Sequence, residues 1–80
     1  KAQKVSVMVQ FTTLRDWGII QEKLRRGAGF AGLDIRSLKL HEAAGTLYIS
    51  EKTERYLADV KGQGLMVEQV GANLWKIRSR

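Results

Sequence analysis

A chain of 80 residues hides only about 60 to 65% of the surface its unfolded form exposes, which is too little to enclose a deep substrate cavity. With 44% apolar and 28% charged residues it stands outside the disordered class, and with no cysteine it has neither a disulfide framework nor a thiolate metal site. Fourteen Lys and Arg against eight Asp and Glu give +6, enough to attract phosphates or anionic lipid over about one Debye length. The basic residues are spread along the chain and only Arg25 and Arg26 are adjacent, so the charge reads as a solubilising surface.

No apolar run approaches the roughly 20 residues needed to cross a bilayer, and none of these residues reads as a signal peptide, so any targeting signal is expected to lie outside them. The chain opens on Lys1 without an initiator Met, which leads us to expect one domain, 1–80, excised from a longer protein. Cytosol and periplasm both remain open.

Val5, Val7, Val9 and Phe11 alternate with Ser6, Met8 and Gln10, a period of two that predicts a strand with the first set facing the core. Thr13 to Gly27 follows as a helix. Thr13 stands as its N-cap with Asp16 three residues on, and Leu14, Trp17, Ile20 and Leu24 line one face. Gly27 ends it as a residue tolerant of positive φ. Gly18 costs on the order of 1 kcal/mol against Ala in a helix, so a close backbone contact is expected there.

Ala28 to Gly32 reads as a flexible connection anchored by Phe30. Leu33 and Ile35 alternate with Asp34 and Arg36, but Leu38 and Leu40 take the opposite phase, which predicts a bulge near Ser37. Ala43 to Gly45 reads as the turn, and Thr46 to Ser50 as the returning strand with Leu47 and Ile49 inward and Tyr48 outward. Glu51 to Lys61 is a second helix, with Thr53 as N-cap and Tyr56, Leu57 and Val60 on its apolar side. Leu65 to Val70, a turn at Gly71 to Asn73, and Leu74 to Arg78 make either one bulged strand or a small hairpin, with Trp75 and Ile77 on one side.

The order β-α-β-β-α-β is the split βαβ, or ferredoxin-like, arrangement. The fold expected is therefore α+β, a two-layer sandwich in which two helices cover one face of a four-stranded antiparallel sheet. The open face then carries Met8, Gln10, Arg36, Tyr48 and, further out, Met66 and Glu68.

Chemistry is sparse in this sequence. His41 is the only histidine and no thiolate can join it in a metal site, so it reads as a surface residue at a strand end. The carboxylates serve as caps, ion-pair partners or solvated charges, and no pair stands out as acid and base. Ser6, Ser37, Ser50 and Ser79 lack an activating neighbourhood. Gly27, Gly29 and Gly32 match G-x-G-x-x-G, but the motif follows a helix and opens a strand, the reverse of a dinucleotide-binding loop. The expectation is no enzyme, no cofactor, no metal and no small-molecule substrate.

Two binding readings remain. RNA-recognition modules of this shape stack bases on aromatics of the two central strands, and here Tyr48 is the single outward aromatic. The first reading is instead contact with a protein partner or a second copy, through Met8, Gln10, Arg36, Tyr48 and Trp75. Trp17 reads as core, while Trp75 either caps the open edge of the last strand or is offered to the partner. Lys23, Arg25 and Arg26 form the nearest thing to a basic patch.

The run VSVMVQF, the Asp16-Trp17 pair opening a helix that ends in LRRG, then LDIRSLKL, GTLYIS, a second helix, GLMVEQV and LWKIR resembles the C-terminal ferredoxin-like module of an uncharacterised family of proteobacterial envelope proteins. The resemblance implies a periplasmic, non-enzymatic module with no catalytic residues to carry over.

Overall fold

The computed structural model describes residues 2–79. Alternating valines in β1 (Gln3–Gln10) put Val5, Val7 and Val9 into the core, and Phe11 just beyond the strand joins them. The chain then enters α1 (Leu14–Arg25) through the expected cap: the Asp16 amide donates to Thr13 Oγ1 at 3.0 Å. The Asp16 carboxylate in turn accepts from the Thr12 amide at 3.2 Å and from the Ser79 hydroxyl at 3.2 Å. The helix start is thereby tied to the far end of the chain.

β2 (Phe30–Leu38) and β3 (Glu42–Ile49) form the antiparallel hairpin, followed by α2 (Thr53–Gly62), β4 (Leu65–Gly71) and β5 (Leu74–Ser79). The last segment is a hairpin. The fold is α+β with two helices, but its sheet has five strands in the order β2-β3-β1-β5-β4, and β5 lies parallel to β1. This corrects the four-stranded antiparallel expectation. In the strict arrangement the strand after α2 pairs with β1 as the edge strand; here β5 takes that slot and β4 keeps the edge one place further out. The physical reason is that β5 sets two large buried side chains, Trp75 and Ile77, beside Val7 and Val9, whereas the helix-side row of β4 runs Leu65, Val67 and the exposed, polar Gln69.

One core fills the space between sheet and helices. Trp17, Ile20 and Leu24 of α1 and Tyr56, Leu57 and Val60 of α2 pack on Val5, Val7, Val9, Ala43, Leu47, Ile49, Leu65, Trp75 and Ile77. Two aromatic pairs brace it, Phe11 on Trp17 with centroids 5.4 Å apart and Tyr56 on Trp75 at 6.3 Å. The Tyr56 hydroxyl donates to the Leu24 carbonyl at 2.7 Å, so α2 closes the C-terminal end of α1, where carbonyls lack helical partners. Burial pushes the Tyr56 phenol above the ordinary tyrosine value, because the phenolate would lose its hydration.

Several expectations of detail change. Leu14 is 67% exposed rather than core, and the buried face of α1 is Trp17, Ile20 and Leu24 alone. Gly18 faces open space, so no close approach explains it. Gly27 has no positive φ; a Cβ there would enter the Tyr56 ring. Lys52, not Thr53, precedes α2, and no side chain caps that helix. β2 begins at Phe30 and the turn is Lys39 to His41, closed by the Lys39 amide on the Glu42 carbonyl at 2.7 Å. Ala43 to Gly45 belong to β3, paired with β1 on one side and β2 on the other, and Gly45 allows the bulged β2 to approach, since a Cβ there would collide with the Asp34 carbonyl. The bulge itself is present, with the register shifting between Ile35 and Ser37.

Candidate functional surface

With both helices on one face, the opposite face of the sheet is open. The registers place its side chains in rows across the strands. Met8 stands between Ala44 and Lys76, Gln10 between Glu42 and Arg78, and Lys4 beside Tyr48; Glu68 lies opposite Lys76, and Met66 opposite Arg78. Met8 and Tyr48 are half-buried and Gln10 and Arg36 are exposed. Arg36 Nε is 3.8 Å from the Asp34 carboxylate, an exposed pair worth at most about 1 kcal/mol.

Trp75 does not join this surface. It is 2% exposed, stacked on Tyr56 in the helix-side core. Its phase is legible in the sequence, since Trp75 and Ile77 share one side; only the strand's central position is not, and an edge strand would have left the indole half free. Tyr48 is half-buried on the open face. Its ring lies over Gly32, where an added Cβ would fall 3.6 Å from Tyr48 Cδ2, so the tyrosine covers a bare stretch of β2.

Lys23, Arg25 and Arg26 split between two sides of α1. Lys23 is half-buried, with its Nζ directed to the Gly64 turn, and Arg26 pairs with Glu22 at 3.1 Å. A single basic patch is not formed. The period of 3.6 explains this, because residues 23 and 25 stand about 200° apart around the helix axis.

The glycine-rich loop is consumed inside the protein. Gly27 lies under Tyr56, Gly29 has φ +81 beside Glu51, and Gly32 lies under Tyr48. The Ala28 amide donates to the Asp59 carboxylate at 2.9 Å, and the Gly27 and Phe30 amides bond backbone carbonyls. An anion would find those donors occupied and a carboxylate in its place. His41 is exposed at the hairpin tip, as expected.

The two edges of the sheet differ, and sequence reasoning missed this because it assigned the wrong strand to one of them. β2 is broken twice, at Ala31 and Arg36, and carries the Asp34 and Arg36 charges. β4 pairs regularly from Leu65 to Gln69, is interrupted only at Val70, and exposes Met66 and Val70 to 42% and 51%. No proline lies anywhere in the chain. A shallow depression along β4 is lined by Met66, Glu68, Lys76, Arg78, Gln10 and Lys61.

Among the described residues there is no cluster of acidic or imidazole side chains arranged for a metal, and no helix is long and apolar enough to cross a membrane. Comparison with protein families, curated proteins and solved structures found no match to the chain.

Proposed function

We propose that the chain is a non-catalytic protein-interaction module, a variant of the ferredoxin-like βαββαβ plan, whose inserted β5 leaves β4 as a docking edge. The observation that carries this reading is the contrast between the edges. Natural sheets blunt an exposed edge with bulges, charges or proline; β2 has two bulges and an ion pair, whereas β4 has one irregularity, at Val70, and one charge, Glu68, and exposes apolar Met66 and Val70. An extended segment can add to such an edge, drawing affinity from main-chain hydrogen bonds and specificity from alternate side chains.

A second copy fits less well than a different polypeptide. Antiparallel self-pairing centred on β4 sets Glu68 opposite Glu68 of the other copy, and like charges directly opposite destabilise a ladder. A foreign strand with apolar residues facing Met66 and Val70 and a cation facing Glu68 meets no such conflict.

The test is selection of extended peptides from a displayed library, followed by shift mapping on the isotope-labelled chain. Binders are expected to perturb residues 65–71 and to lose affinity with Val70→Pro, a position without a partner in the β5 register, where proline is tolerated but closes the edge. Binders that map to β2 or the helices, or that ignore Val70→Pro, contradict the reading. An RNA arm runs beside it: a salt-sensitive oligonucleotide mobility shift abolished by Tyr48→Ala replaces the protein partner with a nucleic acid.

A further inference from the structure

The three most exposed leucines gather at one end of the molecule, away from β4's edge. Leu38 ends β2 and is 55% exposed, Leu40 sits in the following turn at 76%, and Leu14 opens α1 at 67%. The Phe11 amide donates to the His41 carbonyl at 3.0 Å. That bond fixes the hairpin tip beside the segment that leads into α1, so the leucines share one end although up to 26 positions apart (40 − 14). Leu38 is in register with the buried Ala43 and therefore lies on the helix side of the sheet, and Leu14 opens α1, one of the two helices that cover that side.

Cations accompany them. Arg15 follows Leu14 and Lys39 separates Leu38 from Leu40, and neither has an ion-pair partner among the described residues, where the ion pairs are Arg26 with Glu22 and Arg36 with Asp34. Of the nearby carboxylates, Asp16 is held by Thr12 and Ser79, and Glu42 is opposite Gln10 on the other face of the sheet. This end thus offers apolar side chains on a hairpin tip and a helix start, free cations beside them, and a protein of +6 behind.

We infer that this end docks on an anionic bilayer surface, with Leu14, Leu38 and Leu40 entering the headgroup boundary and Arg15 and Lys39 against lipid phosphates. Leucines and cations reinforce one another there, as in other surface-bound proteins, because apolar insertion and electrostatic attraction add. An aqueous protein surface of negative sign would satisfy the cations but would leave leucines on a protruding tip without a matching cavity.

Flotation of the whole chain with phosphatidylglycerol–phosphatidylcholine vesicles tests this against phosphatidylcholine alone. Binding is expected to the anionic vesicles only, and to weaken strongly near 1 M salt, where the Debye length falls to about 3 Å. Leu38→Ser with Leu40→Ser should reduce partitioning about a hundredfold, since each inserted leucine is worth about tenfold or more. Ile19→Ser, an exposed apolar position on the body of α1 at 45%, should change it little. Circular dichroism confirms that both variants fold. Failure to float, equal binding to neutral vesicles, or binding that persists in the double variant overturns the inference.

Discussion

Replacing Tyr56 by Phe removes one buried hydroxyl and little else, so its consequences can be worked through. The ring keeps its stack on Trp75 and its place over Gly27, while the Leu24 carbonyl loses a 2.7 Å bond and retains the Gly27 amide at 3.3 Å. Because the acceptor is not left wholly unpaired, the loss should lie near the net value of one neutral hydrogen bond, about 1 kcal/mol. For a chain of this size that lowers Tm by about 4 to 8 °C at neutral pH. The alkaline range gives the sharper signature. Burial raises the folded-state pKa of Tyr56 above its ordinary value. A group raised in this way contributes stability that is fully present below the unfolded pKa, about 10, and is lost as pH climbs from there toward the folded value. The native chain should then lose up to about 1.4 kcal/mol per pH unit through this one group, whereas Tyr56→Phe should not. Lysine titration is common to both proteins and cancels in the difference. Urea unfolding measured from neutral pH to about pH 11 should show a native advantage of about 1 kcal/mol that shrinks above pH 10 and closes near pH 11. A difference that stays constant across that range would refute the assignment of a buried, hydrogen-bonded neutral phenol.

Other substitutions probe the packing more simply. Gly18→Ala should stabilise the chain by about 1 kcal/mol, because the site faces open space and only helix propensity changes; a loss in thermal unfolding would show a contact there. Gly45→Ala should destabilise at or above the upper end of the usual 1 to 3 kcal/mol for overpacking, since the obstruction is the Asp34 main chain rather than a mobile side chain; near-neutral urea midpoints would place the β2 bulge elsewhere. Trp75→Ala should cost about 3 to 5 kcal/mol, as for a core aromatic, where an edge or docking residue would leave stability almost unchanged.

Elements with a strong period are legible without coordinates. The β1 alternation, the Thr13–Asp16 cap and the inward faces Trp17-Ile20-Leu24 and Tyr56-Leu57-Val60 are local patterns, and burial reproduces them. The bulge near Ser37 is visible for the same reason, as a change of phase between Ile35 and Leu38. What fails is what depends on partners distant in sequence. Nothing within Leu74 to Ser79 indicates that this strand slides between β4 and β1, so the pattern points Trp75 to an edge it does not occupy and hides β4 as the edge. Glycine roles mislead likewise, because Gly27 and Gly45 are required by Tyr56 and Asp34, residues remote along the chain or across a hairpin. The candidate surface is partly legible: the period of two puts Met8, Gln10 and Tyr48 on the open face, while Lys23, Arg25 and Arg26 suggest a patch that helical geometry divides.

The most direct measurement is amide hydrogen exchange of the native chain with and without a library-selected extended peptide. Without it, main-chain amides on the outer side of β4 are expected to exchange fast while those of β1 and β5 are protected; with it, protection should rise within Leu65–Gly71 and leave β2 unchanged. Protection that appears along β2, or β4 amides that are equally slow before and after addition, would contradict a docking edge at β4.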